Sequence, residues 1–444
     1  MERESDNTPK WLDFYPKQYD IHDEVINVVA EEVDIETYTL NPELGRGLQA
    51  TILVKWTNQL YHDENLRAMF TPSWDPVSGI SKANAYRHRN QYYDGLIVKT
   101  SLDSDHIDAD GADSVEHAVQ PTGVARREDG LTAFACGDKI FLSATGKFSD
   151  SFKTIEHEDF ARLHSVEFNQ GGDKLLTSSS ALDLVFELDL DGNIVWKFDA
   201  WKNTPYNANT LGQTFFRSVE DVESGDVLLN PDPIELKEKT DMRGISCVID
   251  DPKKYVSLGL PTNLTPAFIN GASYGEGDDI LVTTFHNGEA WIINRAGHDV
   301  AIVASEMGSP HGFNVFPGNG YVVTDTKAEK LRLLDTSLGS QKVIDFSNLK
   351  DRKPGLENAK WLQYTTQLDD NLFCSVMATR QRLVFFNPAT KERREVSFDE
   401  NWGIQLVKAL EVTKSKESVI NLGSVAVQHD LNTQVPYLGN FNMH

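Results

Sequence analysis

Two histidines head two similar segments, and they are the residues of this sequence whose type and context best suit chemistry. His164 opens HSVEFNQGGDKLL and His311 opens HGFNVFPGNGYVV, and each histidine is followed by a β-rich run and a glycine-containing turn. An imidazole changes its charge near neutral pH, so it can act as a general base, a general acid or a nucleophile. The shared spacing indicates a repeat, in which both histidines would occupy the same position.

The repeat has seven copies when the chain is aligned on the tight turn after each first strand. The copies begin about 40–55 residues apart, a period typical of propeller blades. Their first residues are Thr122, His164, Arg217, Asn270, His311, Trp361 and Lys408. Further β-rich runs such as LVFELD and RLVFFN follow each turn. We therefore expect an all-β fold, a β-propeller of about seven four-stranded blades; unrelated hairpins in a sandwich are the alternative.

The first part of the chain lacks the repeat and differs in pattern. We expect residues 1–85 to form a partly β N-terminal extension that packs on the propeller, and residues 86–444 to form the propeller itself. The last copy has only three obvious strands, and a propeller ring must close to remove its free edges. A strand from the extension would close it, and YYDGLIVKTS before the first copy could add another strand or blade.

A propeller gathers the first residues of its blades at one mouth of the central channel. There we expect His164, His311 and Arg217 to be catalytic, with Arg217 stabilising negative charge. The expected substrate-binding residues are Asn270, Lys408, Thr122, Trp361, His286, Tyr274, Tyr364 and Arg380. His286 and Arg380, like Asp325 and Arg382, follow second strands that return to this mouth. The alternative for each of these residues is a structural role, either a hydrogen bond within its blade or a solvated position in a loop.

The charge balance restricts the partners of the protein. The net charge of −25 argues against binding to nucleic acid or to an anionic membrane. Cations gathered at one mouth of such an acidic protein favour an anionic small-molecule substrate. The three cysteines are too scattered for a disulfide framework, and no apolar run has bilayer length. We expect a cytoplasmic protein, and the sequence does not fix its oligomeric state.

Metal binding is the main rival explanation of the histidines. No cofactor is predicted, but iron or copper could be held by His164, His311, His286 and His429. A cationic Arg217 and Lys408 beside the metal would oppose such a centre. The acidic segment SLDSDHIDADGADSVEHA does not fit the calcium-binding EF-hand spacing and is better explained as a solvated linker.

The blades headed by His164 and His311 resemble those of the arylsulfate sulfotransferase-like propellers, through HSVEFNQGGDKLL with VFELDLDGNIVWKFD and HGFNVFPGNGYVV with KLRLLD. The resemblance covers residues from about 120 to 400 and implies a transiently sulfated histidine, with neighbouring histidine and arginine residues holding the sulfuryl group. Asn270 and Thr122 stand where that family could have a further histidine. The leading hypothesis is an enzyme that acts on an anionic or aromatic small molecule by histidine-based nucleophilic or acid–base chemistry. It would be a transferase or a lyase of the cyclase type, in secondary metabolism. A metal-dependent oxidative enzyme and a non-catalytic scaffold are the alternatives.

Overall fold

The computed structural model describes residues 29–57, 94–209, 212–223, 225–231, 245–251, 265–277, 279–316, 320–335 and 340–409. Within these ranges the chain is almost entirely β-structure. One short α-helix, α1, spans Ala200–Asn203, and single 3-10 turns span Ile35–Thr37, Phe148–Asp150, Ser180–Leu182, Val219–Asp221 and Ala378–Arg380. None of the helices in the described ranges is long and apolar enough to cross a membrane.

Thirty strands follow one another along the described residues. They are β1 (Val29–Asp34), β2 (Thr39–Leu40), β3 (Gln49–Trp56), β4 (Asp94–Ser101), β5 (His106–Ile107), β6 (Ser114–Val119), β7 (Pro121–Arg126), β8 (Thr132–Cys136), β9 (Lys139–Ser143), β10 (Ser151–Glu156), β11 (Glu167–Phe168), β12 (Lys174–Ser179), β13 (Leu184–Asp189), β14 (Ile194–Asp199), β15 (Thr214–Phe216), β16 (Asp226–Leu229), β17 (Ile245–Val248), β18 (Ile269–Tyr274), β19 (Asp279–Thr284), β20 (Glu289–Asn294), β21 (Val300–Ala304), β22 (His311–Phe316), β23 (Gly320–Asp325), β24 (Lys330–Asp335), β25 (Ser340–Asp345), β26 (Leu362–Asp369), β27 (Leu372–Met377), β28 (Arg382–Asn387), β29 (Glu392–Phe398) and β30 (Gly403–Ala409).

Six sheets of four or more strands form the blades of a β-propeller. Their first strands, β7, β11, β18, β22, β26 and β30, are neighbours in that order, and β30 packs back against β7. The backbones of Ala272 and Tyr274 donate to Ser165 and Glu167, so β18 runs in the same direction as β11. The side chains of Asn270 and Ser273 donate to the carbonyl oxygens of Pro310 and Phe313, so β22 runs in this direction too. The all-β propeller predicted from the repeat is confirmed, with six blades in the ring.

The third repeat copy, which begins at Arg217, forms a separate three-stranded sheet instead of a blade. Strand β15, which ends just before Arg217, and strand β16 within the copy both pair in parallel with β17. Strand β18 packs directly beside the blade of β11 and β12. A 3-10 turn at Val219–Asp221 takes the place of the strand that the pattern SVEDVESG suggested. Without an antiparallel hairpin this segment cannot begin a blade.

The last blade combines strands from both ends of the described chain. Its order is β30-β3-β4-β6, so β3 lies between β30 and the strand that contains DGLIVKTS. Strand β1 adds to the edge of β25, and β2 and β5 add to β29. This pairing leaves the ring without an open seam between the first and the last blade. The division of the chain after residue 85 stays a prediction.

Apolar side chains from facing blades fill the space between the sheets. Phe160, Phe186, Phe198 and Trp291 are fully buried in the largest of these clusters. Such interdigitated faces hold packed sheets about 10 Å apart. The blades therefore form a rigid frame, and the ends of the first strands are fixed relative to one another.

Candidate functional site

Four of the predicted head residues occupy equivalent positions in their blades. Each follows, by two positions, a non-glycine residue in the left-handed region of φ. These preceding residues are Gln120, Arg162, Phe268 and Ser309, with φ of 45°, 55°, 50° and 53°, and the heads are Thr122, His164, Asn270 and His311. The repeated backbone bend turns the chain into the first strand at the same level in four blades.

His164 is held by two hydrogen bonds that define its protonation. Its Nδ1 lies 3.0 Å from the carbonyl oxygen of Arg162, and its Nε2 lies 3.1 Å from Nζ of Lys55. A carbonyl oxygen can only accept, so Nδ1 carries a proton, and Nε2 accepts from the Lys55 ammonium. His164 is buried, with 5% relative exposure. His164 and Lys55 can therefore share one proton along this contact.

His311 has a matching anchor in its own blade. Its Nδ1 lies 3.2 Å from the carbonyl oxygen of Ser309 and 2.7 Å from Oγ1 of Thr326. As in His164, the carbonyl oxygen two residues earlier is beside Nδ1. Donation from Nδ1 leaves the lone pair of the neutral imidazole on Nε2, the nitrogen that would act as a base or a nucleophile.

A continuous group of rings connects the predicted histidines at this end of the ring of blades. The centroid distances are 5.3 Å for His164 to Phe268, 5.6 Å for Phe268 to Phe285, 6.0 Å for Phe268 to His286 and 5.8 Å for Phe285 to His311. Trp361 lies 6.2 Å from His311. We call this the histidine end; its rings are His164, Phe268, Phe285, His286, His311 and Trp361. The structure therefore brings four predicted site residues together.

Two lysines that were not predicted complete the histidine end. Burial lowers the pKa of Lys55 to about 7, and the charge of Arg162 lowers it further in the same direction. Burial also lowers the pKa of Lys327 to about 7, and its Nζ lies 5.3 Å from the Phe285 ring centroid. A carboxylate, Asp138, accepts from the backbone of Arg162, and burial raises its pKa to about 6. Amines that are partly neutral near pH 7 can exchange protons with a substrate.

His286 was selected because it follows a second strand, and the same criterion applies to these lysines at the ends of their second strands. His286 and Lys327 each lie two residues beyond the end of a second strand, β19 and β23. Lys55 is the next-to-last residue of β3, the second strand of the last blade. Lys55 was missed because no residue before Thr122 was considered as a site residue, although a strand of residues 1–85 was expected to close the last blade.

Thr122 and Asn270 form contacts between blades. Oγ1 of Thr122 donates to the carbonyl oxygen of Leu163 at 2.5 Å, and Nδ2 of Asn270 donates to that of Pro310 at 3.2 Å. Each acceptor lies immediately before one of the two predicted catalytic histidines. The structure thus gives both residues a part in fixing the position of the next blade's histidine.

Arg217 was predicted to be catalytic, but its contacts lie in the blade of β14. Its Nε donates to Asp199 at 2.8 Å, one of its Nη atoms donates to the carbonyl oxygen of Leu182 at 2.5 Å, and the guanidinium stacks 3.6 Å above the Trp201 ring centroid. The contacts described for Arg217 include neither His164 nor His311. The third repeat copy does not supply a first strand, so the expected position of Arg217 as a strand head is wrong, and its catalytic role stays a prediction.

The other predicted rim residues take part in ion pairs within a sheet or between neighbouring sheets. Nη1 of Arg380 lies 2.7 Å from Glu329, and both side chains are almost completely buried. Asp325 pairs with Arg332 at 2.6 Å, and Arg382 pairs with Glu395 at 2.6 Å. A buried guanidinium or carboxylate needs such a partner, so these ion pairs explain the residues without a bound substrate. Glu329 also accepts from the backbone of Trp361 at 3.0 Å and so orients that ring.

Lys408 was predicted to begin a first strand, but it lies near the carboxyl end of β30. Strand β30 begins at Gly403, five residues earlier, and a β-strand rises about 3.3 Å per residue. The displacement along the strand is therefore about 16 Å. At the histidine end the last blade supplies Gln405, which accepts from Nε2 of Gln363 at 3.3 Å. The alignment slipped because the strand GIQLVKA precedes the turn on which the copy was aligned.

Tyr274 and Tyr364 lie farther along the channel wall. The hydroxyl of Tyr274 donates to Glu187 at 3.0 Å, and burial raises the pKa of this phenol. The hydroxyl of Tyr364 accepts from Nδ2 of Asn314 at 3.1 Å, and this ring is fully buried. Neither tyrosine belongs to the group of rings at the histidine end, so their predicted contact with a substrate stays a prediction.

The histidine end has no ready-made metal centre among the residues that the structure describes. Within these ranges, no three histidine, cysteine, aspartate or glutamate side chains group closely enough to hold a metal ion. The ring of Phe268 lies between those of His164 and His286. His429, the fourth ligand considered, lies outside the described residues.

No family model and no curated protein matches this chain. Among solved structures it is similar to a protein of unknown function from Bacteroides caccae, at 11% identity and a TM-score of 0.45 over 71% of this chain and 94% of that chain. It is also similar to virginiamycin B lyase from Staphylococcus aureus, at 10% identity and a TM-score of 0.38 over 62% of this chain and 69% of that chain. A third similar structure is the β-propeller domain of Cps50 (Swd1) from Myceliophteria thermophila. The identity is 13% and the TM-score 0.38, over 69% of this chain and 81% of that chain. None of them assigns a function to this chain.

Proposed function

We propose that the protein is an enzyme that acts on an anionic or aromatic small molecule at the histidine end of its propeller. The chemistry is nucleophilic or acid–base catalysis by histidine, of the group-transfer or cyclisation type. The observation that carries the proposal is the convergence of three histidines with two lysines of lowered pKa on a floor of aromatic rings.

Each part of the histidine end suits such a substrate. The faces and edges of Phe268, Phe285 and Trp361 can pack against an aromatic ring. The ammonium groups of Lys55 and Lys327 attract a negatively charged substituent, and this attraction is strong where burial excludes water. No side chain at this end other than the histidines and lysines needs to change charge for the reaction.

His164 and Lys55 are suited to proton transfer. The contact of 3.1 Å between Nε2 and Nζ lets one proton be held by either group. With the proton on Lys55, Nε2 of His164 is basic; with the proton on His164, the imidazolium is the acid. The anchored Nδ1 keeps the ring in the same orientation in both states.

Sulfuryl transfer is the specific reaction that the resemblance to the arylsulfate sulfotransferase-like propellers suggests. In that case Nε2 of His311 forms a bond to sulfur while the bond from sulfur to the phenolic oxygen breaks. The phenolate leaves with the electron pair and takes a proton from the His164–Lys55 pair. An acceptor hydroxyl then displaces the histidine from sulfur and returns a proton to that pair.

A panel of aromatic anions tests both levels of the proposal. The protein is incubated with 4-nitrophenyl sulfate, 4-nitrophenyl phosphate and 4-nitrobenzoate, and binding is followed by tryptophan fluorescence. Transfer to phenol is followed by 4-nitrophenolate release from the two esters. His164→Asn and His311→Asn should each weaken binding or slow release about tenfold or more. The control is His106→Asn, a half-exposed histidine on β5 that contacts Ser397.

The outcomes separate the specific reaction from the general proposal. Binding without release of 4-nitrophenolate would support the anionic or aromatic substrate class and would contradict sulfuryl transfer. Equal losses in the control variant, or no binding of any compound to the wild type, contradict the proposal. One iron or copper per chain in protein purified without chelator would instead favour a metal-dependent oxidative enzyme. The cytoplasmic location and the lack of nucleic-acid and membrane partners stay predictions.

A further inference from the structure

A second group of cations lies at the opposite end of the channel wall, between the last and the first blade. Lys99, Arg126 and Lys408 line a cavity there, together with Thr51 and Thr132. Arg126 and Lys408 lie at the ends of β7 and β30, whereas the histidines lie at the starts of first strands. The two sites are therefore at different levels of the propeller.

The register of the last blade sets the two lysines side by side. Thr51 of β3 is the direct partner of Lys408 on one side and of Lys99 on the other. Residues directly opposite in adjacent strands point to the same face of the sheet. With strands about 4.8 Å apart, the Cα atoms of the two lysines are roughly 10 Å apart, and Thr51 lies between them.

The first blade supplies the facing wall. Arg126 of β7 is the direct partner of Thr132 of β8. Gly146 completes the rim: its carbonyl oxygen accepts from Nζ of Lys99 at 2.5 Å. A Cβ atom added at Gly146 would lie 3.3 Å from Oγ1 of Thr132, and its φ of 73° favours glycine. The row of two lysines and a threonine thus faces an arginine across the cavity.

Carboxylates near this cavity do not fully offset the desolvation of its lysines. Glu167 faces Lys408, yet burial outweighs its attraction and lowers the pKa of Lys408 to about 7. Glu116 and Asp150 face Lys99, whose pKa burial also lowers; Arg126 and Lys147 oppose its charge further. Burial in turn raises the pKa of Glu167 to about 8. An anion in the cavity would stabilise the charged lysines that burial destabilises.

We infer that this cavity binds a small tetrahedral oxyanion, with Lys99, Arg126 and Lys408 as its cationic ligands. The chemistry fits free phosphate or sulfate and the phosphate group of a small phosphomonoester alike. The guanidinium of Arg126 offers a planar pair of donors to two oxygens, and the ammonium groups offer point charges from the other blade. The hydroxyl of Thr51 lies between the lysines as a further donor.

Isothermal titration of the full-length chain with inorganic phosphate tests the inference. The wild type should bind one phosphate, less tightly at higher ionic strength. Sulfate, which stays a dianion near neutral pH, should bind more tightly as the pH falls through about 7 and the lysines become charged. Lys99→Met and Lys408→Met should each weaken binding about tenfold or more, the loss of one charge-assisted hydrogen bond. Lys99→Arg and Lys408→Arg keep the charge and should retain most of the affinity.

The matched control is Lys139→Met, which removes an exposed lysine of the same first blade, paired with Glu156. It should bind phosphate like the wild type. Sulfate, methyl phosphate and acetate identify the ligand class. Methyl phosphate that binds at least as tightly as phosphate indicates a phosphomonoester, and tighter binding of the inorganic ions indicates a free anion. Acetate should bind weakest.

Three results would overturn the inference. One is a wild type that binds neither phosphate nor sulfate; another is a loss in Lys139→Met equal to that in the lysine variants of the cavity. The third is loss of phosphate binding in His164→Asn, which would place the anion at the histidine end and leave the proposed function intact. Conversely, normal phosphate binding with an inactive histidine end would contradict the proposed function alone.

Discussion

Replacing Lys55 with methionine keeps a side chain of similar length and removes its ammonium group. Burial lowers the pKa of Lys55 from 10.5 to about 7. At about 1.4 kcal/mol per pKa unit, this shift corresponds to at most about 5 kcal/mol of destabilisation of the folded protein. The side chain is only partly buried, and the variant loses the hydrogen bond to His164, worth about 1 kcal/mol. We therefore expect Lys55→Met to gain about 1–3 kcal/mol in unfolding free energy near pH 6.

The sign of the pH dependence follows from the direction of the shift. The pKa of Lys55 is lower in the folded protein than in the unfolded chain, so between about pH 7 and 10.5 the unfolded chain holds the extra proton. The stability of the wild type therefore rises with pH across this range. The advantage of Lys55→Met is full below about pH 7 and disappears toward pH 10.5.

Urea unfolding at about pH 6 and about pH 10 measures this difference, because the slope with urea is shared by variants of the same size. Lys153→Met, which removes an ion pair with the exposed Asp191, is the control and should shift stability little at either pH. A difference between Lys55→Met and the wild type that is the same at both pH values would refute the reasoning. It would mean that Lys55 is not desolvated at the histidine end.

Three further substitutions test how the frame around the site is held, each through the urea midpoint of unfolding. Gly312→Ala should cost about 3 kcal/mol or more, because φ is 58° and the added Cβ would overlap the hydroxyl of Tyr364; an unchanged midpoint would contradict this. Glu329→Gln should cost about 3–5 kcal/mol by leaving the buried guanidinium of Arg380 without its carboxylate; a loss below about 1 kcal/mol would show that other acceptors suffice. Asp183→Asn should cost about 1–3 kcal/mol, since its carboxylate accepts from two backbone N–H groups of the next blade, and a neutral outcome would mean that the amide replaces both bonds.

The positions of His164 and His311 could be predicted because they depend on local sequence. Alternating strands and a glycine-containing turn mark each blade, and a histidine just before the first strand must lie at the strand-head end. The same local pattern placed Asn270 and Thr122 at this level. Their contacts with the adjacent blade could not be predicted, because each acceptor is a backbone carbonyl about 40 residues away in sequence.

Arg217 and Lys408 show where local pattern fails. The segment RSVEDVESGDVLL has the residues of a blade hairpin, but its strand β16 pairs in parallel with β17 and a separate sheet results. The segment from Lys408 has a polar turn after it, but β30 already ends at Ala409 and pairs with β3. In both cases a partner strand distant in sequence decided the outcome, and periodicity within one segment does not identify that partner.

The sequence by itself determined the architecture of repeated antiparallel sheets and the level of the two histidines in their blades, because strand periodicity and turn chemistry act over neighbouring residues. Only the tertiary structure decided which strands close the ring, and therefore which cations meet. Strand β3 carries Lys55 to His164, and the opposite end of the same blade aligns Lys408 with Lys99. These contacts join segments far apart in sequence, and they form because a ring of blades buries its edges and its apolar faces only when it closes.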